Sequence, residues 1–128
     1  LIKPNHKELA EMFEVELSSR EDLLVYAKEL QAMGARNVLV SMAEQGALLL
    51  SETQEVYHTP ACKGQVVNSV GAGDSMVAGF LYGYLRENSY AEALRYGTAC
   101  GGASAFSKGI ANKEKVAELL EQLTDCVC

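Results

Sequence analysis

The apolar residues of this chain recur with a helical period near its start and through its second half, and they form short unbroken runs in between. Spacings of three and four residues predict helices, and the short runs have the length of strands. In chain order, the predicted elements are a helix opening at Asn5–Glu8, a helix from the capping residues Ser18 and Ser19 to Gly34, strands at 37–42, 47–51 and 55–59, an extended piece at 65–67, a helix after Gly73, a helix over 90–107 and a helix from Asn112 to Leu123. This order predicts an α/β layered domain with a small sheet flanked by helices.

The helix after Gly73 and the helix over 90–107 differ in composition. The apolar positions of the first predict a buried stripe, formed by Met76, Val77, Phe80, Leu81, Tyr84 and Leu85. The second is rich in glycine and alanine, and small residues of this kind let a neighbouring backbone approach closely.

Charge and composition exclude several classes of function. The 128 residues carry 11 basic and 17 acidic side chains, a net charge of −6, whereas nucleic acids and anionic lipids bind basic surfaces. No apolar run approaches the ~20 residues that a membrane span requires, and the first residues do not read as a secretory leader. The four cysteines lack CxxC or zinc-finger spacing, so we expect free thiols and a cytoplasmic protein.

The strongest candidate for chemistry is the segment 68–75, Asn-Ser-Val-Gly-Ala-Gly-Asp-Ser, at a predicted strand-to-helix junction. Glycines there let the backbone turn tightly and direct several N–H groups to one point, where the positive end of the helix also attracts an anion. The segment therefore predicts a phosphate-binding turn. Asp74, in the first turn of the helix, is either a proton acceptor beside the bound anion or a common helix-capping aspartate.

Two familiar nucleotide motifs do not fit this segment. A Walker P-loop has lysine and then serine or threonine after its last glycine, and Asp74 occupies that position. A dinucleotide-binding fingerprint requires a third glycine where this chain has Met76. Neither class is expected.

Three segments together resemble the ribokinase-like (PfkB-type) carbohydrate kinases, and the resemblance extends over essentially all 128 residues. Segment 68–75 is similar to the family signature Thr/Ser-Val-Gly-Ala-Gly-Asp-Ser/Thr. Segment 3–8 resembles the Asn-x-x-Glu motif in its phosphosugar-kinase form, and segment 41–46 resembles the Ser-x-Gly-x-x-Gly nucleotide loop. Residues 105–111 add to the likeness. The resemblance implies a ribokinase-like three-layer α/β fold, of which residues 1–128 would be the C-terminal, nucleotide-binding and catalytic-base part, without the N-terminal sugar-binding and lid part.

The resemblance also implies roles for individual residues in transfer of the ATP γ-phosphoryl group to a sugar hydroxyl. Asp74 would be the catalytic base, and the backbone of Gly71, Ala72 and Gly73 would form the anion hole together with the N–H of Asp74. The residues implied to contact the nucleotide are Lys3, Asn5, Ser41, Gln45, Gly46, Gly73 and Gly102.

Several of these residues have a structural alternative. Asn5 and Glu8, which would organise Mg²⁺ through water, also have the spacing of a capping box for the first helix. Lys3 could be a solvated lysine at a strand end, and Ser41 could simply end a strand. The Gly101-Gly102 pair could serve helix packing instead of leaving room for adenine.

Two positions depart from the family pattern, and two histidines have no role in it. Ala43 replaces the first glycine of the nucleotide loop, at a cost of about 1 kcal/mol if that position needs positive φ. Asn68 stands where many relatives carry aspartate, next to a site that binds a monovalent cation in some members, so we assign no potassium site from the sequence. His6 and His58 have no acidic or cysteine cluster beside them in sequence, and we expect both at the surface.

The expected substrates are ATP and a sugar phosphate, with fructose 1-phosphate converted to fructose 1,6-bisphosphate and tagatose 6-phosphate as the alternative acceptor. A non-catalytic nucleotide-binding module and a purely structural domain are the alternatives of other classes. Leu1–Asn5 reads like the end of a buried strand, so we expect a piece of a longer protein that does not turn over alone. The open sheet edge would allow a homodimer.

Overall fold

The computed structural model describes residues 1–17, 19–42, 45–62, 71–105 and 113–123. Its elements are helices α1 (His6–Phe13) and α2 (Arg20–Ala32), strands β1 (Val38–Ser41), β2 (Ala47–Leu50) and β3 (Val56–Thr59), and helices α3 (Ala72–Glu87), α4 (Tyr90–Ala105) and α5 (Lys113–Gln122). This is the predicted order of helices and strands. The extended piece predicted at 65–67 and the cap predicted at Asn112 lie outside the described residues. In the described ranges, no helix has the length and apolar character needed to cross a membrane.

The sheet is antiparallel in the order β1-β2-β3. On the other side of β1, residues 1–5 run parallel to it, with bridges from Ile2 to Val38 and from Asn5 to Ser41. The extended strand end predicted at the start of the chain is therefore confirmed. It adds a fourth extended segment, whose last residue leads directly into α1.

Side chains alternate between the two faces of the sheet along each strand, and helices cover both faces. On one face, called the α1/α2 face, the buried core residues are Leu9, Leu23, Ala27, Leu30, Val38, Val40, Met42, Leu48 and Leu50. On the other, called the α3/α4 face, they are Leu39, Ala47, Leu49, Met76, Phe80, Ala93 and Leu94. Helix α5 packs on α4 through Leu119 and Leu123. The three-layer α/β arrangement predicted from the sequence is confirmed.

The first two helices begin at the predicted caps. The N–H of Glu8 donates to Asn5 Oδ1 at 2.7 Å, and the N–H of Asn5 donates to Glu8 Oε1 at 2.9 Å, which completes the capping box. At α2, the N–H of Asp22 donates to Ser19 Oγ at 3.2 Å. Each such cap contributes about 1 kcal/mol to helix stability and fixes where the helix begins.

The buried stripe predicted for α3 is wrong at two leucines. Leu81 is 47% exposed and Leu85 is 83% exposed, whereas Gly79 and Gly83 are buried. A Cβ on Gly79 would stand only 2.7 Å from the Cβ of Cys100 on α4. The contact between α3 and α4 therefore runs along glycines, which allow the two backbones to approach more closely than leucines could.

Candidate active site

Helix α3 begins without a side-chain cap. Gly71 is its N-cap with φ of 85°, and nothing lies within 4 Å of where its Cβ would stand, so the backbone angle is what requires glycine. The N–H of Ser75 donates to the carbonyl of Gly71 at 3.0 Å, which is the first bond of the helix. The N–H groups of Ala72, Gly73 and Asp74 precede it and have no acceptor within the helix. Together they form the positive helix end predicted to bind phosphate.

The ammonium group of Lys3 lies at the same helix end. A Cβ on Gly73 would stand 2.9 Å from Lys3 Nζ and 3.4 Å from Lys3 Cε, so the lysine side chain occupies space that only a glycine leaves open. The backbone of Lys3 belongs to residues 1–5, which are bridged to β1 on both sides of it. The predicted nucleotide lysine and the predicted phosphate-binding turn, far apart in sequence, therefore come together. A cation beside unpaired amides adds to the attraction for a phosphate group.

The carboxylate of Asp74 is exposed in the first turn of α3. Among the described residues, it has no hydrogen-bond or ion-pair partner. It is therefore free to accept a proton from a group that approaches the helix end, which is what a general base requires. The same position stabilises the helix end by about 0.3–1 kcal/mol, as an acidic residue in any first turn would.

Lys3, Asn5 and Ser41 lie on the α3/α4 face. Asn5 pairs with Ser41, and Ser41 pairs in turn with Ala47, whose side chain belongs to the α3/α4 core. Paired residues on neighbouring strands share a face, and residues two apart on one strand do so as well. Three of the residues predicted to contact the nucleotide thus lie on the side of the sheet where α3 begins.

The capping box accounts for the closeness of Asn5 and Glu8 without a metal ion. It also leaves oxygen atoms for one, because each bonded oxygen keeps a second lone pair and Glu8 Oε2 has no hydrogen-bond or ion-pair partner among the described residues. Oxygen atoms are the ligands that Mg²⁺ prefers, usually with phosphate oxygens and water completing its shell. In the described part of the chain, no three His, Cys, Asp or Glu side chains are grouped closely enough to hold a metal alone. The pair therefore fits Mg²⁺ that is bound jointly with ATP.

Residues 41–46, here called the nucleotide loop, connect β1 to β2, and the structure describes residues 41, 42, 45 and 46 of them. The N–H of Met42 donates to the carbonyl of Gly46 at 2.8 Å, and the N–H of Gln45 donates to the carbonyl of Met42 at 3.0 Å. Gly46 has φ of 93°, and a Cβ there would collide with the carbonyl oxygen of Thr59 on β3. Glycine is needed at position 46 for both its backbone angle and this close approach. Ala43, which departs from the family pattern, lies outside the described residues.

Gly102 on α4 packs inside the molecule. A Cβ there would stand 3.1 Å from the Cβ of Cys62 and 3.3 Å from Leu119 Cδ1 on α5, so packing accounts for this glycine. Its contact with a nucleotide stays a prediction. Burial raises the pKa of the neighbouring Cys62 thiol to about 11, so this thiol is neutral at pH 7.

His6 and His58, expected only at the surface, lie half-buried beside the nucleotide loop. Nδ1 of His6 is 3.4 Å from the carbonyl oxygen of Ser41, and Nε2 of His58 is 3.3 Å from the carbonyl oxygen of Gln45. A pocket of about 560 Å³ opens there, lined by His6, Leu17, Ser19, Arg20, Leu23, Met42, Gln45 and His58. No local motif could have revealed this grouping, since strand register brings the two histidines together.

Residues 1–116 match the model of the pfkB family of carbohydrate kinases, and the chain belongs to that family. The match includes the three segments on which the resemblance rested. It also confirms the expected ribokinase-like fold.

Two curated relatives show which kinds of kinase in the family the chain is similar to. The chain is 47% identical over 123 residues to the 1-phosphofructokinase of Bacillus subtilis, which covers 96% of this chain and 40% of that protein. It is 40% identical over 124 residues to the D-tagatose-1-phosphate kinase of Bacillus licheniformis, with the same shares covered. The chain thus spans about two fifths of the length of these relatives.

A solved structure supports the same grouping. The backbone superposes on the crystal structure of phosphofructokinase-2 from Escherichia coli in complex with substrates and products, with a TM-score of 0.84 at 31% identity. The superposition covers 95% of this chain and 40% of that one.

Proposed function

We propose that this chain is the nucleotide-binding and catalytic-base part of an ATP-dependent 1-phosphofructokinase, which converts fructose 1-phosphate to fructose 1,6-bisphosphate. The observation that carries the proposal is the Lys3 ammonium beside the unpaired amides at the start of α3, with Asp74 in the same turn. Family membership and the 47% identical relative named 1-phosphofructokinase support the choice of reaction and acceptor.

Phosphoryl transfer depends mainly on positioning and on stabilising negative charge, and this helix end supplies both. The amides of Ala72, Gly73 and Asp74 would hold the oxygens of the transferring group, and Lys3 would offset the charge that develops on them. Asp74 would accept the proton of the acceptor hydroxyl while the hydroxyl oxygen bonds to the γ-phosphorus. The bond between that phosphorus and the ADP oxygen breaks in the same step.

Mg²⁺, when bound with ATP, would neutralise part of the phosphate charge. Asn5 and Glu8 are the residues of this chain that would hold it, through water. Their capping box gives both side chains fixed positions at the start of α1, which directly follows the extended segment that carries Lys3.

Replacing Asp74 with asparagine tests the proposal, since the change keeps the shape of the side chain and removes only its basicity. In the gene product at its full natural length, we expect kcat for fructose 1-phosphate to fall by roughly 10²–10⁴-fold, with ATP binding retained in calorimetry. Glu87→Gln is the matched control, because it removes one carboxylate from the other end of α3. Asp74→Asn with wild-type kcat would contradict the proposal.

The 40% identical tagatose kinase favours a second acceptor, a tagatose phosphate. Comparing kcat/KM for fructose 1-phosphate, tagatose 1-phosphate and tagatose 6-phosphate on the wild-type protein separates the acceptors. ATP binding without turnover on any of them would instead favour a nucleotide-binding module. The 128 residues alone are expected not to turn over, because the relatives have more than half of their length beyond the matched part.

A further inference from the structure

We infer that His6 and His58 are positioning residues for ATP, which hold the two ends of the nucleotide loop from the face opposite the phosphate-binding turn. The inference rests on the proposed function, because that function assigns residues 41–46 to the nucleotide. It concerns two residues to which no motif of the chain assigns a role.

The first end of the loop is held from α1. His6 directly follows the N-cap Asn5, and Asn5 is fixed both by its bridge to Ser41 and by the capping box with Glu8. This double attachment fixes the backbone where α1 begins. Nδ1 of His6, the next residue, lies 3.4 Å from the carbonyl oxygen of Ser41. A carbonyl oxygen only accepts, so the ring nitrogen is the donor.

The second end is held from β3. His58 pairs with Leu48, whose side chain lies in the α1/α2 core, so the His58 ring is on that face as well. Its Nε2 lies 3.3 Å from the carbonyl oxygen of Gln45, the residue before the end of the loop. The next residue of β3, Thr59, places its carbonyl against Gly46. Two adjacent residues of β3 therefore fix the last two residues of the loop.

At its first end the loop is also held by the sheet, because the N–H of Ser41 donates to the carbonyl of Pro4 at 3.2 Å and Ser41 pairs with Ala47. Beyond Ser41, the backbone bonds between Met42 and Gly46 and between Gln45 and Met42 close the turn on itself. The histidines supply ties to α1 and to β3, on the side away from α3. Both rings lie on the α1/α2 face, opposite the face that carries Lys3 and Ser41. Loop ends that are held before binding lose less entropy when ATP binds, which favours affinity.

Both contacts are long, and the contact of His58 is exposed to solvent, so each should have a modest effect. Removing one ring is expected to raise the KM for ATP by roughly two- to tenfold. The rate of the chemical step should change little, because both rings lie on the face of the sheet opposite the helix that carries Asp74. The KM for the acceptor should also be unchanged.

The experiment uses the gene product at its full natural length and pairs each loss with a rescue. His6→Ala and His58→Ala remove the donors. His6→Asn puts an amide nitrogen near the position of Nδ1, and His58→Gln puts one near the position of Nε2. Lys7→Ala, exposed on α1, and Tyr57→Phe, the neighbour on β3 that packs on the opposite face, are the matched controls.

We expect both alanine variants to raise the KM for ATP with kcat and acceptor KM within about twofold of wild type, and both amide variants to restore it. An unchanged KM for ATP in the alanine variants would overturn the inference. So would a lower kcat and melting temperature that the amide variants do not restore, since that result marks a purely structural role. These outcomes leave the proposed function intact, which fails separately if Asp74→Asn keeps full activity.

Discussion

Gly46→Ala is the substitution by which the structure of the nucleotide loop can be tested most quantitatively. Two effects meet at this position, a backbone angle of 93° that alanine adopts poorly and the carbonyl of Thr59 in the space of the new methyl group. Gly34 offers a matched comparison, because its φ is 120° and nothing lies within 4 Å of its absent Cβ.

The magnitudes follow from separating the two effects. Positive φ costs an L-residue about 1–2 kcal/mol, and both alanine variants should lose that much. Forcing a methyl group into packed backbone adds about 1–3 kcal/mol, and only the variant at position 46 should lose this as well. We therefore expect Gly34→Ala to lower the free energy of unfolding by about 1–2 kcal/mol and Gly46→Ala to lower it by about 2–5 kcal/mol.

Urea unfolding followed by circular dichroism measures both values, and ATP titration measures the functional consequence. Gly46→Ala should also weaken ATP binding at temperatures where the protein is still folded. Gly34→Ala should leave it unchanged, because Gly34 lies before the start of β1 and the loop follows the other end of that strand. Equal losses of stability in the two variants, or unchanged ATP binding in Gly46→Ala, would refute the close contact between loop and β3.

Two further predictions concern single charges and protons. Lys3→Met keeps the stem of the side chain and removes its cation, so kcat should fall at least tenfold, whereas Lys7→Met should have no effect on kcat in the same assay. Burial raises the pKa of the Cys62 thiol from 9.0 to about 11, so between these values the folded state keeps a proton that the unfolded state has lost. Stability should therefore fall as pH rises from about 9 to about 11, and less so in Cys62→Ala; equal losses in urea midpoints between pH 8 and pH 11 would contradict this.

The layers of the fold were predictable from the sequence, because the strands carry apolar residues on both of their faces. In β1, Val38 and Val40 face one helix layer and Leu39 the other. The caps of α1 and α2 were equally readable, since a capping box is a local interaction between residues three apart.

The contact between α3 and α4 was not predictable from the same pattern. Apolar periodicity counts large side chains, and it therefore selected Leu81 and Leu85 as buried. The structure buries Gly79 and Gly83 instead, because the backbones approach where side chains are absent. A glycine allows close helix packing because it has no side chain, and a pattern of hydrophobic side chains does not detect such a contact.

Part of the candidate site could likewise be predicted from the sequence, and part of it could not. The turn before α3 could be recognised as a local string, and its likeness to a kinase family supplied the role of Asp74. That Lys3 approaches Gly73 depends on the pairing of residues 1–5 with β1. The approach of His6 and His58 to the nucleotide loop depends on strand register and on the start of α1. Neither approach is visible in a linear sequence.

The chemical step itself provides the most direct test. The helix end of α3 is proposed to hold the transferring phosphoryl group while Asp74 accepts the proton of the acceptor. The measurement is the single-turnover rate of γ-phosphoryl transfer from saturating ATP to fructose 1-phosphate, compared between wild type and Asp74→Asn. We predict a rate roughly 10²–10⁴-fold lower in the variant, with ATP still bound. A single-turnover rate equal to that of wild type would show that this carboxylate is not the base.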